Sequence, residues 1–420
     1  MIRINQLKLQ IPHTEEALEK KIQKTLHLKK GDSFTYRIHR QSLDARRKPE
    51  LFYVYTVDVT VSNENAVLKH CKGNIQKVEE KHYQIPSHGT ETLNARPVVI
   101  GSGPAGLFCA YLLALEGYRP LVLERGACVE ERKKDVDRFW ETGVLDPSSN
   151  VQFGEGGAGT FSDGKLTTRI KDHRCTFVLH ELIKAGAPAE IKYESKAHVG
   201  TDLLKGVVKT IREEIKSLGG EVNFNSKLEK IVYEEGNLKS IIVNGSEILC
   251  TALVLAIGHS SRDTYEMLCN EKVSMEAKSF AIGVRIEHPQ ELINISQYGD
   301  NHKHPKLQAA DYRLTYQSDK LKRGVYSFCM CPGGVVVAAA SEEGRLVSNG
   351  MSYHARDLQN ANSALVVTVS PEDFEGDSPL RGMEFQRHYE NLAFKLGGGN
   401  YKAPIQLVGD FMKDRASTKL

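Results

Sequence analysis

The chain has 420 residues, 40% of them hydrophobic and 26% charged, which suits two or three globular domains and excludes a disordered or fibrous protein. A formal net charge of +3, from 56 basic and 53 acidic residues, gives no general attraction to polyanions. No apolar run approaches the roughly 20 residues of a membrane-spanning helix, and the eight cysteines are scattered as in cytoplasmic proteins with reduced thiols.

Residues 1–85 are predicted to form a small α+β domain. Residues 2–11 and 51–61 alternate apolar and polar side chains as strands do, and residues 15–28 place apolar side chains on one helical face. Residues 1–60 hold twelve Lys or Arg against seven Asp or Glu, which indicates a basic surface. Such an excess is usually a solvated face, so nucleic acid is not expected as a partner.

Residues 86–278 are predicted to form a Rossmann-type domain. A strand at 97–100, a helix at 104–116 and a strand at 120–123 make a βαβ unit. A long helix is predicted over 202–218, with Thr201 as its N-cap. Short strands are predicted to follow at 221–224, 228–233, 238–243 and 253–257.

Residues 279–410 are predicted to form an inserted, mainly antiparallel β substrate domain, because strand-like segments dominate them. Residues 411–420 are predicted to return to the Rossmann-type domain. The predicted fold class is therefore α/β, with a small N-terminal α+β domain and an inserted β-rich domain.

The turn of the βαβ unit carries the pattern Gly101-x-Gly103-x-x-Gly106, and Glu124 ends the next strand about 20 residues later. The first glycine permits a tight turn, the second lets backbone N–H groups approach a pyrophosphate, and the third lets helix and strand pack closely. Glu124 would accept hydrogen bonds from an adenosine ribose. The pattern predicts a dinucleotide site formed by Gly101, Ser102, Gly103, Pro104, Ala105, Gly106, Glu124 and Arg125.

The dinucleotide is predicted to be FAD. Pro104-Ala105 after the second glycine, and the apolar strand that ends in Gly258-His259, are similar to FAD-binding flavoproteins such as glutathione reductases. Gly258 and His259 therefore join the predicted cofactor-binding residues. No second domain dedicated to NAD(P)H is indicated, so NAD(P)H is considered only as a diffusible co-substrate.

Longer segments resemble the uncharacterised FAD-dependent dehydrogenases described as NAD-utilising. These segments are RPVVIGSGPAGLFCA, FGEGGAGTFSDGKL, HVGTDLL, LVLAIGHSSRDTY, FCMCPGG and NGMSYHARDLQNANSALVV. The resemblance covers nearly the whole chain and implies an oxidoreductase that moves hydride through flavin N5 to or from an unidentified small molecule. Members of that group continue through a further glycine-rich segment, so the resemblance also implies truncation within the FAD domain.

The segment NVQFGEGGAGTFSDGKL, residues 150–166, combines five glycines with Lys165. It spells most of a P-loop, but Leu166 stands where Ser or Thr would bind Mg²⁺, and Asp163 would repel a phosphate. The alternative is backbone that runs along FAD, which adds Gly156, Gly157 and Gly159 to the predicted site. Lys165 is then the predicted catalytic residue, because a cation would stabilise negative charge on a reduced flavin. A weakly paired surface lysine is the competing interpretation.

Three functions stay open on the sequence. An FAD-dependent oxidoreductase acting on a small molecule is preferred, an FAD-binding or RNA-associated module without turnover is second, and a P-loop nucleotide hydrolase is third. No membrane partner is expected, and the Cys and His spacing indicates no metal site. Arg285 and Arg356 could bind an acidic substrate or form structural ion pairs, and Cys329 and Cys331 are expected to be inert thiols.

Overall fold

The computed structural model describes residues 1–29, 31–71, 73–168 and 170–418. Its strands, in chain order, are β1 (Ile2–Gln10), β2 (Phe34–Arg47), β3 (Glu50–Val61), β4 (Ile75–Lys77), β5 (Val98–Ile100), β6 (Leu121–Leu123), β7 (Glu221–Asn223), β8 (Leu228–Glu234), β9 (Asn237–Val243), β10 (Ser246–Leu249), β11 (Leu253–Leu255), β12 (Phe280–Pro289), β13 (Thr315–Ser318), β14 (Arg323–Cys331), β15 (Gly334–Ala338), β16 (Ser348–Ser352) and β17 (Asn360–Val369).

The helices, in chain order, are α1 (Glu15–Thr25), α2 (Glu64–His70), α3 (Pro104–Leu115), α4 (Val129–Thr142), α5 (His173–Lys184), α6 (Thr201–Ser217), α7 (Arg262–Asn270), α8 (Gln290–Tyr298), α9 (Arg381–Leu396) and α10 (Val408–Phe411). A short 3₁₀ helix covers Gly157–Phe161 within the glycine-rich segment.

Contacts divide the chain into two compact units. The first unit comprises Met1–His88, Lys165–Val199 and Pro289–Asp311. The second comprises Gly89–Gly164, Gly200–His288 and the chain from Tyr312 onward. The predicted domain boundaries after residues 85, 278 and 410 stay a prediction.

The first unit is built on an antiparallel sheet with the strand order β2-β3-β1-β4. Together with α1 and α2 this is a split βαβ arrangement. Thr14 caps α1 by accepting a hydrogen bond from the N–H of Ala17. Ile22 of α1 packs with Ile2, Val57 and Val59 of the sheet in a core from which water is excluded. The strands and the helix predicted for this region are confirmed.

A parallel sheet with the order β11-β5-β6-β7 lies in the second unit. Val99 in the central strand β5 pairs in parallel with Val122 of β6 and with Val254 of β11. Because the chain leaves β5 toward β6 on one side and returns to β11 on the other, the strand order reverses at the carboxyl end of β5. Ligands of open α/β sheets bind at such a reversal. This geometry places the turn after β5 where a cofactor is expected.

The second unit also holds antiparallel sheets. Their strand orders are β10-β9-β8, β12-β17-β14-β13 and β15-β16. The predicted α/β class with a Rossmann-like domain and antiparallel sheets is confirmed. The long helix α9 is not predicted, because residues 279–410 are interpreted as mainly strands, although the apolar side chains of Phe385, Tyr389, Leu392 and Leu396 follow helical spacing.

The predicted start of α6 is wrong by one residue. The N-cap is Gly200, and Thr201 is already helical. The Thr201 hydroxyl instead donates a hydrogen bond to the carbonyl of Thr160, 2.5 Å away. Thr201 is therefore held by a tertiary contact, which the local capping pattern does not reveal.

Within the described residues, none of the helices has both the length and the apolar character that crossing a membrane would require.

Candidate cofactor site

Different structural features explain why glycine occupies each of the three positions in the turn after β5. A Cβ at Gly106 would lie 1.8 Å from the carbonyl oxygen of Gly101, and a Cβ at Gly101 would lie 2.5 Å from the carbonyl oxygen of Ala256. These two glycines are required by packing. A Cβ at Gly103 would meet only the Cα of Gly157, at 3.9 Å, which is an ordinary contact. Packing therefore leaves Gly103 unexplained, and a ligand close to its backbone would explain it.

Helix α3 begins directly after Gly103. Gly103 is the N-cap and has no side chain to accept hydrogen bonds from the first turn, and Pro104 occupies the first helical position. The exposed N–H groups and the positive end of the helix dipole make this terminus suitable for a phosphate group. Three of the predicted cofactor-binding residues, Gly103, Pro104 and Ala105, lie at this helix N-terminus.

Glu124 follows β6 and is buried beside the turn. Its Oε2 accepts hydrogen bonds from the N–H of Ser102 at 2.7 Å and from the Ser102 hydroxyl at 2.8 Å. Its Oε1 accepts from the N–H groups of Gly126 at 2.9 Å and Gly154 at 3.2 Å. These donors match the roughly four lone-pair positions of a carboxylate. A ribose hydroxyl would therefore share Glu124 with Ser102, whose hydroxyl can rotate away.

Arg125 lines a cavity of about 350 Å³ beside the turn. Its guanidinium lies 4.6 Å from the ring centre of Phe153, and it donates a 2.8 Å hydrogen bond to Asp263. Lys227 pairs with the other oxygen of Asp263 at 2.7 Å. The cavity is lined by Arg125, Pro147, Ser148, Phe153, Lys227, Ser260, Arg262, Asp263, Ser341, Glu342, Glu343, Arg345 and Arg387. Its planar and polar groups suit a heteroaromatic base with polar edges.

The glycine-rich segment wraps around a buried arginine from α4. Arg132 has no exposed surface. Its Nε donates to the carbonyl of Asn150 at 2.8 Å, and its Nη2 to that of Val151 at 2.9 Å. Its Nη1 donates to the carbonyls of Glu155 and Gly157 and to the hydroxyl of Thr160, at 2.7, 2.9 and 2.7 Å. Burial lowers the pKa of Arg132 to about 10, so it stays charged at neutral pH.

This packing accounts for glycines that the sequence suggested for a cofactor. A Cβ at Gly154, whose φ is +114°, would lie 2.4 Å from Cδ of Arg132. A Cβ at Gly156 would lie 2.5 Å from the methyl group of Thr160. Gly157 faces the turn after β5, since its Cβ would lie 3.2 Å from the Cα of Gly103. The segment therefore lies against the predicted pyrophosphate turn, and cofactor contacts by Gly156, Gly157 and Gly159 stay a prediction.

Glu155 joins the same region to α6. Its side chain is fully buried, and its Oε2 accepts from the N–H of Val129 at 2.8 Å and from Arg212 at 2.7 Å. Within the described part of the chain, its Oε1 has no hydrogen-bond partner. Burial raises the pKa of Glu155 even though Arg212 opposes that shift. Glu155 thus ties α4 to α6 beneath the glycine-rich segment.

The P-loop interpretation does not agree with the geometry around Lys165. A P-loop leads directly into a helix, whereas the next helix, α5, begins only at His173. Asp163 forms a buried ion pair with Arg356, whose Nε lies 2.9 Å from Oδ1. Lys165 is exposed, belongs to the first unit and forms an isolated antiparallel bridge with His198. Its catalytic role stays a prediction.

Gly258 and His259 follow β11, at the same sheet edge as the turn after β5. Gly258 has a φ of +67°, and its carbonyl accepts a 2.7 Å hydrogen bond from Tyr265. Nδ1 of His259 lies 2.8 Å from the hydroxyl of Ser260. Both residues lie at the sheet edge where the cofactor is expected, and their contact with a cofactor stays a prediction.

The sequence patterns do not identify the buried arginines that support this site. Arg132 and Arg212 lie within helical stretches whose charged residues read as solvated, yet each is almost fully buried. The available signal was the glycine cluster itself, because so many positions without side chains require a large partner nearby. That partner is a guanidinium of the chain.

The residues present fit an adenine dinucleotide. The space in front of α3 at Gly103 is filled neither by a capping side chain nor by packed atoms, so a phosphate group could occupy it. Glu124 lies next to it, and the cavity at Arg125 follows. A helix N-terminus, an acid and a polar cavity are the groups that a pyrophosphate, a ribose and a base would require.

Comparisons with known families agree with this assignment. Residues 279–420 match the family described as FAD-dependent protein, C-terminal domain-like. Residues 99–129 match the NAD(P)-binding Rossmann-like domain, and residues 1–60 match a domain of unknown function. These matches support FAD as the cofactor. They show neither a dehydrogenase reaction nor NAD(P)H as a co-substrate.

A protein of Clostridium beijerinckii described as uncharacterized is 71% identical over 420 residues, which is 100% of this chain and 79% of the relative.

Among solved structures, tetracycline destructase Tet(51) is similar with a TM-score of 0.32 and 14% identity, over 71% of this chain and 62% of that one. Halogenase PltM in complex with phloroglucinol and FAD has a TM-score of 0.34 and 11% identity, over 73% and 57%. The chain spans less than two thirds of either structure.

Proposed function

Because the chain belongs to the same family as the uncharacterized Clostridium beijerinckii protein and carries an FAD-dependent C-terminal domain-like region, we propose that it is an FAD-dependent oxidoreductase acting on a small molecule. The observation that carries the proposal is the open backbone at Gly103, at the uncapped N-terminus of α3 and beside the buried carboxylate of Glu124.

The chain's own residues would bind and orient the cofactor. The N–H groups after Gly103 would hold the pyrophosphate, Glu124 a ribose hydroxyl, and the cavity at Arg125 the adenine. Bound FAD would supply hydride transfer through its N5. NAD(P)H is proposed as a diffusible co-substrate, and the cytoplasm as the location, on the ground of the dispersed thiols.

Glu124 and Ser102 give a matched pair of variants. Glu124→Ala removes the acceptor proposed for the ribose, and we expect FAD affinity to fall about tenfold or more, since hydrogen bonds to charged groups contribute roughly 1.5–3 kcal/mol. Ser102→Ala removes a donor that competes for Glu124, so FAD affinity is expected to be kept or raised. Titration of the apoprotein with FAD, followed by flavin fluorescence, measures both. Equal affinity in Glu124→Ala and the unmodified protein would contradict the assignment.

Lys165 is proposed to stabilise negative charge on a reduced flavin. Lys165→Met is expected to slow anaerobic flavin reduction while leaving the FAD content unchanged. Stopped-flow absorbance at the flavin band measures the rate, and Lys171→Met serves as a control on the same stretch of chain. An unchanged rate in Lys165→Met would show that Lys165 has no part in flavin reduction.

The proposal as a whole is tested by the flavin itself. The purified protein should show flavin absorbance or take up added FAD, and anaerobic screening against NADH, NADPH and metabolite pools should find a compound that bleaches the flavin. A protein that neither carries nor takes up FAD would refute the proposal.

A further inference from the structure

A cluster of polar groups lies where four strands of the second unit meet. Arg285 of β12 donates through Nη1 to Oδ1 of Asn362 in β17 at 2.7 Å, and to the carbonyl of Cys329 in β14 at 3.4 Å. Gly350 of β16 covers the pair so closely that a Cβ there would lie 2.3 Å from Asn362 Oδ1 and 2.4 Å from Arg285 Nη1. The absence of a side chain at residue 350 is what allows this approach.

Arg285 carries a charge that the described residues do not neutralise. It is half-buried, and no carboxylate of the described chain lies within 4.0 Å of its guanidinium. Three other arginines of the second unit are paired with carboxylates: Arg262 with Glu390, Arg323 with Asp373, and Arg387 with Glu342. The buried Arg132 instead donates to five acceptors of the described chain, whereas Arg285 donates to two. Partly desolvated charges without a partner are disfavoured unless something outside the chain pairs with them.

Asn362 adds a second donor. Its side chain has no exposed surface, and the hydrogen bond from Arg285 fixes which amide atom is the oxygen. The remaining atom, Nδ2, has no acceptor among the residues that the structure describes. A buried amide donor without an acceptor is uncommon in folded proteins and calls for a specific reason.

The strand beside this pair is distorted. The pairing of β14 with β17 shifts register between Phe328 and Cys331, and Cys329 has a φ of +46°. Bulges and left-handed residues other than glycine concentrate next to functional sites, where they redirect backbone groups. Here the bulge directs the Cys329 carbonyl to Arg285 and so fixes the position of the guanidinium.

We propose that Arg285 and Asn362 form a carboxylate-binding subsite, which makes the substrate of the proposed oxidoreductase a small carboxylic acid. The proposal of a substrate rests on the proposed function. The guanidinium offers N–H groups in a fork that matches a carboxylate, and Nδ2 of Asn362 supplies a further donor. A bound carboxylate would neutralise Arg285 and provide the acceptor that Asn362 lacks.

Asn362→Asp tests the subsite with little change of shape. The new carboxylate would pair with Arg285 inside the protein, so the variant should fold at least as well as the unmodified chain while losing affinity for carboxylates. Arg285→Ala should lose the same affinity, and Arg138→Ala, an exposed arginine paired with Asp135, is the control. The probes are pyruvate, succinate and benzoate, each compared with its amide, and binding is measured by ligand-observed NMR.

Saturable binding of at least one carboxylate to the unmodified protein, tighter than its amide, and about tenfold or more weaker in Asn362→Asp and Arg285→Ala, is the expected result. No binding of the three carboxylates, or equal affinity in Asn362→Asp, would overturn the proposal. Flavin absorbance of the same samples separates the two hypotheses. Carboxylate binding that depends on Arg285 in a chain unable to bind FAD would refute only the proposed function.

Discussion

Arg132→Ala is expected to lower the free energy of unfolding by about 3–5 kcal/mol, because it removes a large buried side chain together with its hydrogen bonds. The guanidinium donates to four backbone carbonyls and one hydroxyl, and alanine would remove all five of these hydrogen bonds from a buried site. The volume of the side chain would also become a cavity beneath the glycine-rich segment.

The chain contains its own probe for this experiment. Its single tryptophan, Trp140, lies on the same helix as Arg132 and donates a 2.9 Å hydrogen bond to the carbonyl of Ala338. Urea unfolding followed by tryptophan fluorescence therefore reports on α4. Arg138→Ala, an exposed change on that helix, should cost less than about 1 kcal/mol. Equal unfolding midpoints for Arg132→Ala and Arg138→Ala would show that Arg132 does not hold the segment.

Gly106→Ala is expected to destabilise the Rossmann-like domain by about 3 kcal/mol, at the upper end for overpacking. The added Cβ would lie 1.8 Å from the carbonyl oxygen of Gly101 and 3.3 Å from Cβ of Ala256, so α3 would have to move away from β5. Neither the Gly101 carbonyl nor Cβ of Ala256 can rotate aside as the end of a flexible side chain could.

Gly103→Ala is the matched variant. The backbone of Gly103 has a φ of −67°, which any residue adopts, and the added Cβ would make only an ordinary contact. Stability is expected to change by no more than about 1 kcal/mol, the usual scale for an N-cap change. FAD affinity is nevertheless expected to fall at least tenfold, because the methyl group would stand where the pyrophosphate approaches. Unchanged FAD affinity in a stable Gly103→Ala variant would remove the main support for the cofactor site.

Local patterns predicted the parts of this fold that depend on neighbours in sequence. The alternation in β1 and β3, the apolar face of α1 and the βαβ unit around Gly101 are confirmed within a few residues. The helix α9 was missed because strand-like segments dominate the residues before it, and Thr201 was misplaced because its hydroxyl is used in a tertiary contact. Where a distant partner decides the structure, a local pattern gives no signal.

The glycine-rich segment shows the same limit at the site. Its composition indicated close approach of backbone to something large, and FAD and a P-loop phosphate were the candidates. The structure adds a third partner, the guanidinium of Arg132, which Gly154 in particular accommodates. Likewise, Arg285 and Arg356 were equivalent in sequence, and only their surroundings separate them: Arg356 is paired with Asp163, whereas Arg285 is paired with an amide.

Residue order alone is enough to predict the Rossmann-like turn and its acid, because the strand, the glycine spacing, the helix and Glu124 depend on short-range geometry. The three-dimensional packing was needed to tell which glycines are required by close contacts and which one leaves room for a ligand. It also decided which buried charges are already neutralised. Those distinctions depend on atoms brought together from distant parts of the chain, where a few tenths of an ångström separate a contact from a clash.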